Sequence, residues 1–485
     1  MLPLAGAAVA YLSPSRAVRL AMLPGVAVLH AVLVLLVAVR EPEPILNGWM
    51  HVDSTGLVFL GIASALFFFA SLYAVGYLKR EDPAPRADYV EGIIFANAPE
   101  SVFVACMLLF LASMTLVTMS QNLGMFWVGM EATTLVSAPL ISFHRHHRSL
   151  EARYKYLLVC SVGIAIALLG TLFLSMAASP TSAASSLMLD DLLRAGAALD
   201  PTWLHAAFIL LLVGYGTKMG LVPLHTWLPD AHSESPSLVS ALMSGALLNC
   251  GFLGILRGHQ VLTAAGEGAF TSQLLVVFGL LSMGLAAFFI IRQGDYKRML
   301  AYSSIEHMGI LSLGVGLGGV AVFGAMFHAV NHSLSKGLMF LVAGNVLATY
   351  KTTSTRTVRG MSVLIPISST LWIAGFLAIT GAPPFGSFLS EFIILQAIIG
   401  QGSFLVAALY LGLLAVAFIG MATVVLRMVQ GRPWEHVIHL PREAMLAVAP
   451  PAVLAVIALT LGLYLPSGLQ TILADAAHAL GGVAP

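Results

Sequence analysis

The sequence predicts an all-α polytopic membrane protein of about 14 transmembrane helices. Three observations carry that expectation. Of the 485 residues, 59% are apolar and only 9% are charged, whereas a soluble domain carries about 25% charge. The apolar residues fall in runs long enough to span a bilayer, which needs roughly 20 of them. The basic residues gather in every second connection between those runs. The same composition excludes a disordered chain. A net charge of +1 leaves no global basic field for nucleic acid.

The runs are taken in order. The opening stretch MLPLAGAAVAYLSPSR puts its first arginine after the apolar residues. That is the reverse of a signal peptide, so a retained, short first helix is expected over 2–13. Apolar runs then predict helices near 18–39, 54–78, 100–119, 122–142 and 154–177. A seventh span, 203–224, ends on GTKMGLVPLHTWLPDAH, with Pro223 and Pro229 inside the polar stretch. Spans at 234–256, 270–291, 299–318 and 320–349 follow. The twelfth, 362–400, is long enough for one helix plus a break, at LAITGAPPFGSFLSEF with Pro383 and Pro384. Spans at 403–426 and 445–466 complete the set.

Orientation follows from the positive-inside rule. With an outer N-terminus, the inner connections carry Arg16 and Arg19; Lys79, Arg80 and Arg86; Arg145, Arg148, Arg153 and Lys155; Arg292, Lys297 and Arg298; Lys351, Arg356 and Arg359; and Arg427, Arg432 and Arg442. That is 18 of the 23 basic residues. The outer connections hold Arg40, Arg194 and Arg257. Both termini are then outside. The basic loop HRHHRSLEARYK reads as a lipid-headgroup anchor.

Two lysines are left over, Lys218 and Lys336, and both fall within spans. So do Glu131, Glu306 and Glu391. An ionisable group at mid-membrane costs about 2.5–3.5 kcal/mol on insertion scales, so such residues face a bundle interior or a hydrated path. One structural ion pair is a common reason for them. Five on separate helices favour a proton or ion path.

The proline breaks in the seventh and twelfth spans remove helical hydrogen bonds, and unwound backbone is tolerated at depth only beside protein or water. Their separation by five spans suggests an internal repeat of helices 4–8 and 9–13. The eleventh span places His328, His332 and Lys336 at i, i+4 and i+8, on one helix face. Imidazoles titrate near neutral pH and suit proton relay. The HxxxH spacing also suits a metal pair, but no third ligand is evident in the sequence, so relay is preferred. GVGLGG matches GxGxxG without the preceding strand that a dinucleotide site needs, and reads as close helix packing. Cys106, Cys160 and Cys250 lie apart in apolar runs and read as small buried hydrophobes, with no cluster-binding spacing.

The motifs GTKMGLVPLHTWLPDAHSESPSLVSALMSG, KRMLAYSSIEHMG, HAVNHSLSKGLMFLVAGNV and GAPPFGSFLSEF resemble the antiporter-like membrane subunits of respiratory complex I, Mrp-type sodium/proton antiporters and membrane-bound hydrogenases. The likeness covers roughly residues 50–430. PDAHSESPSLVSALMSGALLNC, NHSLSK and FLSEF look most similar to the F-type membrane subunit of hydrogenase 4 and formate hydrogenlyase-like complexes. The resemblance implies fourteen helices with two inverted five-helix repeats, each holding one broken helix. The divisions are then N-terminal helices at 1–99, a first half at 100–257, a second half at 270–428, and a C-terminal helix and tail at 429–485. It implies a fifth-helix glutamate, matched by Glu131, and a lysine before the first break, matched by Lys218. It also implies a central ionisable residue in the eleventh helix, matched by Lys336 with His332 and His328. A charged residue after the second break is matched by Glu391. Where many pumping subunits carry a basic residue in the eighth helix, this chain has Asn249, which cannot take a proton at neutral pH. Glu306 and His307 are candidates to shift the route, and His225 beside the first break is a further proton-transfer candidate. The chain also stops soon after its fourteenth helix, without the long lateral helix of the largest complex I subunit of this type.

The expected function is coupling of electron transfer in partner subunits to proton movement across a bacterial or archaeal cytoplasmic membrane. An ion pair between Glu131 and Lys218 is expected to control Lys218. The chain is not expected to be catalytic alone. No cofactor or metal is expected in it, and no nucleic acid. The expected partners are the bilayer, other membrane subunits and a soluble redox module. A sodium/proton antiporter subunit, a proton-coupled inorganic-carbon uptake subunit and an inert membrane scaffold are the competing readings.

Overall fold

A computed structural model describes residues 1–40, 42–81, 84–88, 91–179, 187–433 and 443–484. The expected inner-side Arg442 lies outside these residues. The first helices are α1 (Leu2–Leu12), α2 (Arg16–Arg40), α3 (Ser54–Arg80), α4 (Glu100–Met119), α5 (Leu123–Ile141) and α6 (His147–Ala177). They are followed by α7 (Leu189–Ala195), α8 (Pro201–Met219), α9 (Trp227–Glu234), α10 (Ser237–Leu242), α11 (Leu248–Ala264), α12 (Gly268–Ile290), α13 (Tyr296–Leu317) and α14 (Val320–Tyr350). The chain continues with α15 (Met361–Leu364), α16 (Pro366–Ile379), α17 (Gly386–Gly400), α18 (Phe404–Val429), α19 (Met445–Leu463) and α20 (Ser467–His478). A two-stranded hairpin pairs Arg86–Ala87 with Ile94–Phe95.

A helix stands at each of the fourteen expected positions. Among the described residues, nine helical segments are long and apolar enough to cross a membrane. α8, α13 and α14 have the length but carry the polar and ionisable residues that lower their hydropathy. Four short helices, α7, α9, α15 and α20, were not expected, because helices this short leave little periodic signal. α6 starts at His147, earlier than expected, so Arg153 and Lys155 are helical rather than in a loop.

The segment Ser237–Ala264 is apolar and buried throughout its most hydrophobic window, so it forms the bundle axis together with α14. A helix that is apolar all round belongs in such a place. α10 and α11 are joined by a π-helical turn at Met243–Leu247. α14 runs 31 residues, about 46 Å at 1.5 Å per residue. It packs against α3, α10, α13, α16, α17 and α19. By contrast, α2 and α18 are mostly exposed and present apolar faces to the surroundings.

Both expected breaks are present. α8 stops where Gly220 takes a left-handed φ of 84°, and the Gly220 and Leu221 N–H groups both donate to the Gly216 carbonyl at 2.8 Å. Glycine meets that φ without a Cβ clash. The backbone groups freed by the break find side-chain partners, as depth demands. The Thr217 carbonyl accepts from the Trp227 indole N–H at 2.8 Å, and the Val222 N–H donates to Ser282 Oγ of α12 at 3.1 Å. The second break, residues 380–385, separates α16 from α17. Pro383 and Pro384 are exposed there, as is Pro223 in the first break.

Candidate functional site

Lys218 sits one residue before the end of α8 and is fully buried. Its Nζ donates to Thr134 Oγ1 of α5 at 2.7 Å and to the Tyr156 hydroxyl of α6 at 2.8 Å. Ser137 Oγ donates to the Thr133 carbonyl at 2.6 Å, so its lone pair accepts the Tyr156 O–H at 2.7 Å. These hydroxyls present oxygen to the lysine. The expected Glu131–Lys218 ion pair is not formed. Glu131 is half-buried on α5 and accepts from Ser161 Oγ of α6 at 3.0 Å, while its other oxygen has no partner. Thr134 is one helical turn below Glu131 and reaches Lys218 first. A sequence pairing by charge alone passes over such hydroxyls, because Thr134 and Tyr156 carry no charge signal.

The second cluster is built from the π-helical turn, α11, α13, α14 and α17. Lys336 donates to the Leu300 carbonyl at 2.8 Å and also to Ser303 Oγ. His332 Nε2 faces the Ser244 carbonyl at 3.4 Å, inside the π-helical turn. A π turn displaces carbonyls from the α ladder and is frequent at functional sites. Asn249 donates to the Gly245 carbonyl and to Ser333 Oγ, both at 2.9 Å. It therefore links the central segment to α14 with neutral groups.

His328 Nδ1 lies 2.9 Å from Ser390 Oγ, and Ser390 itself donates to the Ser387 carbonyl at 2.9 Å. Ser390 must therefore accept, which puts the His328 proton on Nδ1 and leaves Nε2 as an acceptor. That Nε2 faces His307 Nδ1 at 2.8 Å. The His307 ring centroid is 4.9 Å from that of His332. Beyond His307, a cavity of about 10 Å³ is lined by Glu306, His307, Thr380 and Glu391. The structure thus gathers Lys336, His332, His307, His328, Glu306 and Glu391. Lys218 and Glu131 form a separate group. His225 lies apart in the first break, its ring 6.5 Å from that of Tyr302.

Sequence reasoning missed His232 on α9. It is fully buried, stacks 5.1 Å from Phe340, and neither ring nitrogen has a hydrogen-bond partner. It interacts electrostatically with both Lys297 and Lys336. The signal was present in PDAHSESP, one helical turn from the break, but a lone histidine in a motif carries little weight. The structure also accounts for α9 being so short. Lys297 donates to the Ser233 carbonyl at 2.8 Å and the Ser235 carbonyl at 2.6 Å, capping its C-terminus. Asp230 pairs with Lys155 of α6 at 2.6 Å and Arg298 of α13 at 2.8 Å. The half-helix is therefore tied to both halves of the bundle.

Arg257, expected in an outer connection, is instead buried on α11 and forms two bonds to Asp53, at 2.5 and 2.7 Å. Asp53 caps α3. Burial works against ionisation of its carboxyl, and Arg257 outweighs this and holds it below the ordinary range.

A cavity of about 410 Å³ opens among the residues assigned to the inner side. Arg80, Arg86, Arg148, Lys297 and Lys351 line it, and so do the buried Ser235, Ser237 and Asn345. On its wall, His144 Nδ1 is 2.8 Å from Asn97 Oδ1 and Nε2 is 2.8 Å from the Tyr77 hydroxyl. Burial pushes His144 down to about 4, against the opposing pull of Glu81.

Comparison with known proteins then decides the family. The model of the NADH:quinone oxidoreductase/Mrp antiporter transmembrane family matches residues 120–418. The chain belongs to that family. A hydrogenase-4 component F homologue of Methylacidiphilum infernorum is 36% identical over 385 residues, covering 78% of each chain. Hydrogenase-4 component B of Escherichia coli is 29% identical, and there the match spans only 54% of the relative's length. Among solved structures, a chain of the archaeal membrane-bound sulfane sulfur reductase superposes with a TM-score of 0.86 over 99% of this chain and 96% of that one, at 21% identity. A chain of the Mrp complex from Dietzia gives 0.84 over 99% and 95%, at 19% identity. Respiratory complex I from Thermus thermophilus gives 0.75 over 98% of each, at 24% identity. The all-α polytopic membrane fold expected from composition is the fold of the family.

Proposed function

We propose that this chain is a proton-translocating membrane subunit of a complex I-like or membrane-bound hydrogenase complex. Electron transfer occurs in its partners, and this chain couples it to proton movement. The observation that carries the reading is the buried cluster of Lys336, His332, His307, His328 and Glu391 on three packed helices, α13, α14 and α17, with Lys218 buried in a hydroxyl cage of its own. Buried ionisable groups in such number are costly and mark ion paths.

Protons enter from the inner cavity, past Lys297 and His232. Tyr156 and Thr134 hold the proton at Lys218 Nζ. Displacement of α6 or α9 by a partner loosens that cage and lets the proton pass through water near Asn249 to Lys336. The His332–His307–His328 rings carry it to Glu391. The half-buried Glu131 acts on this cage through α5, not through direct contact with Lys218. The chain resides in the cytoplasmic membrane with both termini outside, beside other membrane subunits and a soluble redox module. The two interrupted stretches are corresponding positions of two inverted repeats.

A sodium/proton antiporter subunit is the competing reading, since relatives named Na(+)/H(+) antiporter subunit A1 of Staphylococcus aureus are 28% identical. The test is proton uptake driven by substrate oxidation in vesicles holding the purified complex. Uptake without added sodium supports the proposal, and uptake that requires sodium supports the antiporter reading.

A further inference from the structure

We propose that His307, His328 and Glu391 form a binding site for a divalent transition metal of the zinc class, and that the bound ion blocks proton transfer through this chain. One ligand atom from each of the three residues lies within 4.8 Å of the others. The residues come from three elements, α13, α14 and α17. Zinc sites use histidine nitrogen and carboxylate oxygen at about 2.0–2.2 Å, which places tetrahedral ligand atoms about 3.3 Å apart. The site therefore closes with side-chain shifts of about an ångström.

Four features point to a ligand rather than to packing alone. First, Glu391 Oε1 is buried with no hydrogen-bond partner, and the residue is only 7% exposed. Second, Ser390 fixes His328 with its Nδ1 proton outward and its Nε2 lone pair toward the site. That is the second-sphere hydrogen bond that metal-binding histidines use. Third, the 10 Å³ cavity beside His307 and Glu391 is about the size of one water. It offers the fourth position of a tetrahedral site. Fourth, the charges match. Two neutral imidazoles and one carboxylate leave a dication at +1, and Glu306 lines the same cavity and can neutralise it. The carboxylate ligand, Glu391, lies 63 residues beyond His328, on a different helix.

Occupancy explains the block. A metal takes the His328 Nε2 lone pair that now faces His307 Nδ1, so His307 must turn or move its proton to Nε2. The imidazole-to-imidazole step is then lost. No bond other than the coordination bonds forms, and no electron moves.

The site rests on geometry rather than on the proposed function, so the test reads metal content first. The intact purified complex is treated with chelator, dialysed against zinc, and its zinc measured by elemental analysis. A variant replacing His147, the exposed histidine of that segment, removes a surface histidine that competes for zinc. The expected result is one zinc per chain retained after dialysis into zinc-free buffer in this background, reduced at least tenfold by Glu391→Gln and by Ser390→Ala. Cobalt substituted in its place gives the visible spectrum of a tetrahedral ion, which His328→Gln abolishes. Zinc also suppresses proton uptake in vesicles, and chelator restores it. Zinc uptake that is absent, or unchanged in Glu391→Gln and His328→Gln complexes that assemble normally, overturns the site. Failure of the vesicles to pump without metal would overturn the proposed function and leave the binding result standing.

Discussion

The tether on α9 gives a prediction that can be worked from distances. Asp230 joins α6, through Lys155 at 2.6 Å, to α13, through Arg298 at 2.8 Å. The three side chains are 20%, 41% and 39% exposed, so solvent screens both pairs. Exposed pairs contribute about 0.2–1 kcal/mol each. Asp230→Asn keeps the shape and removes the charge, and the two losses together come to roughly 0.4–2 kcal/mol, a factor of about 2–30 in a two-state balance. If α9 controls the Lys218 cage, that factor appears in coupling. Protons moved per electron transferred should fall severalfold in reconstituted vesicles, while electron transfer by the complex is retained. Lys155→Met should lose less than Asp230→Asn, since Arg298 still holds the half-helix. Adding salt to the wild-type complex should shift it partway toward the variant. Asp190→Asn, on the exposed α7 with a pair partner at 76% exposure, serves as the control and should change nothing. Coupling in Asp230→Asn equal to that of the control would refute the reasoning.

Other outcomes follow from the same structure. Asp53→Asn leaves Arg257 buried without its carboxylate, which costs about 3–5 kcal/mol. The thermal midpoint of the detergent-solubilised complex should drop well below that of Asp190→Asn, and equal midpoints would contradict the pairing. Gly381→Ala should uncouple proton movement. Gly381 has φ of 61°, and a Cβ there would lie 2.0 Å from Glu391 Oε2, so the carboxylate must move, with backbone strain of about 1–2 kcal/mol. Normal pumping by a Gly381→Ala complex would show that the position of Glu391 is not critical. Tyr156→Phe takes one of two acceptors from Lys218 and should lower pumping more than Ser161→Ala, which touches only Glu131. The reverse order would favour Glu131 as the direct partner.

The fold was readable in the sequence wherever burial and periodicity agree. The apolar runs located the helices, and Pro223, Pro383 and Pro384 located the breaks, because each of these residues acts on its own backbone. The basic residues clustered in alternate connections could be read as an orientation signal, but their contacts could not. Lys297 and Arg298 looked like loop charges and prove to clamp a half-helix, since nothing in the chain order brings residues 155, 230 and 298 together. Arg257 looked like an outer-loop cation and is buried against Asp53 across 204 residues. At the site, charged and imidazole residues could be singled out by their cost in a membrane. Their neutral partners Thr134, Tyr156, Ser303 and Ser390 could not, because hydroxyls are common in helices and carry no such cost signal. For the same reason the expected Glu131–Lys218 pair gave way to a hydroxyl cage. His307 and Glu391 joined His328 only through the fold.

The most direct test of the account is proton uptake into vesicles by a Lys218→Ala complex, measured together with electron transfer by the same preparation. The account predicts that proton uptake is lost while electron transfer continues in part. Wild-type proton uptake by Lys218→Ala would contradict it at its centre.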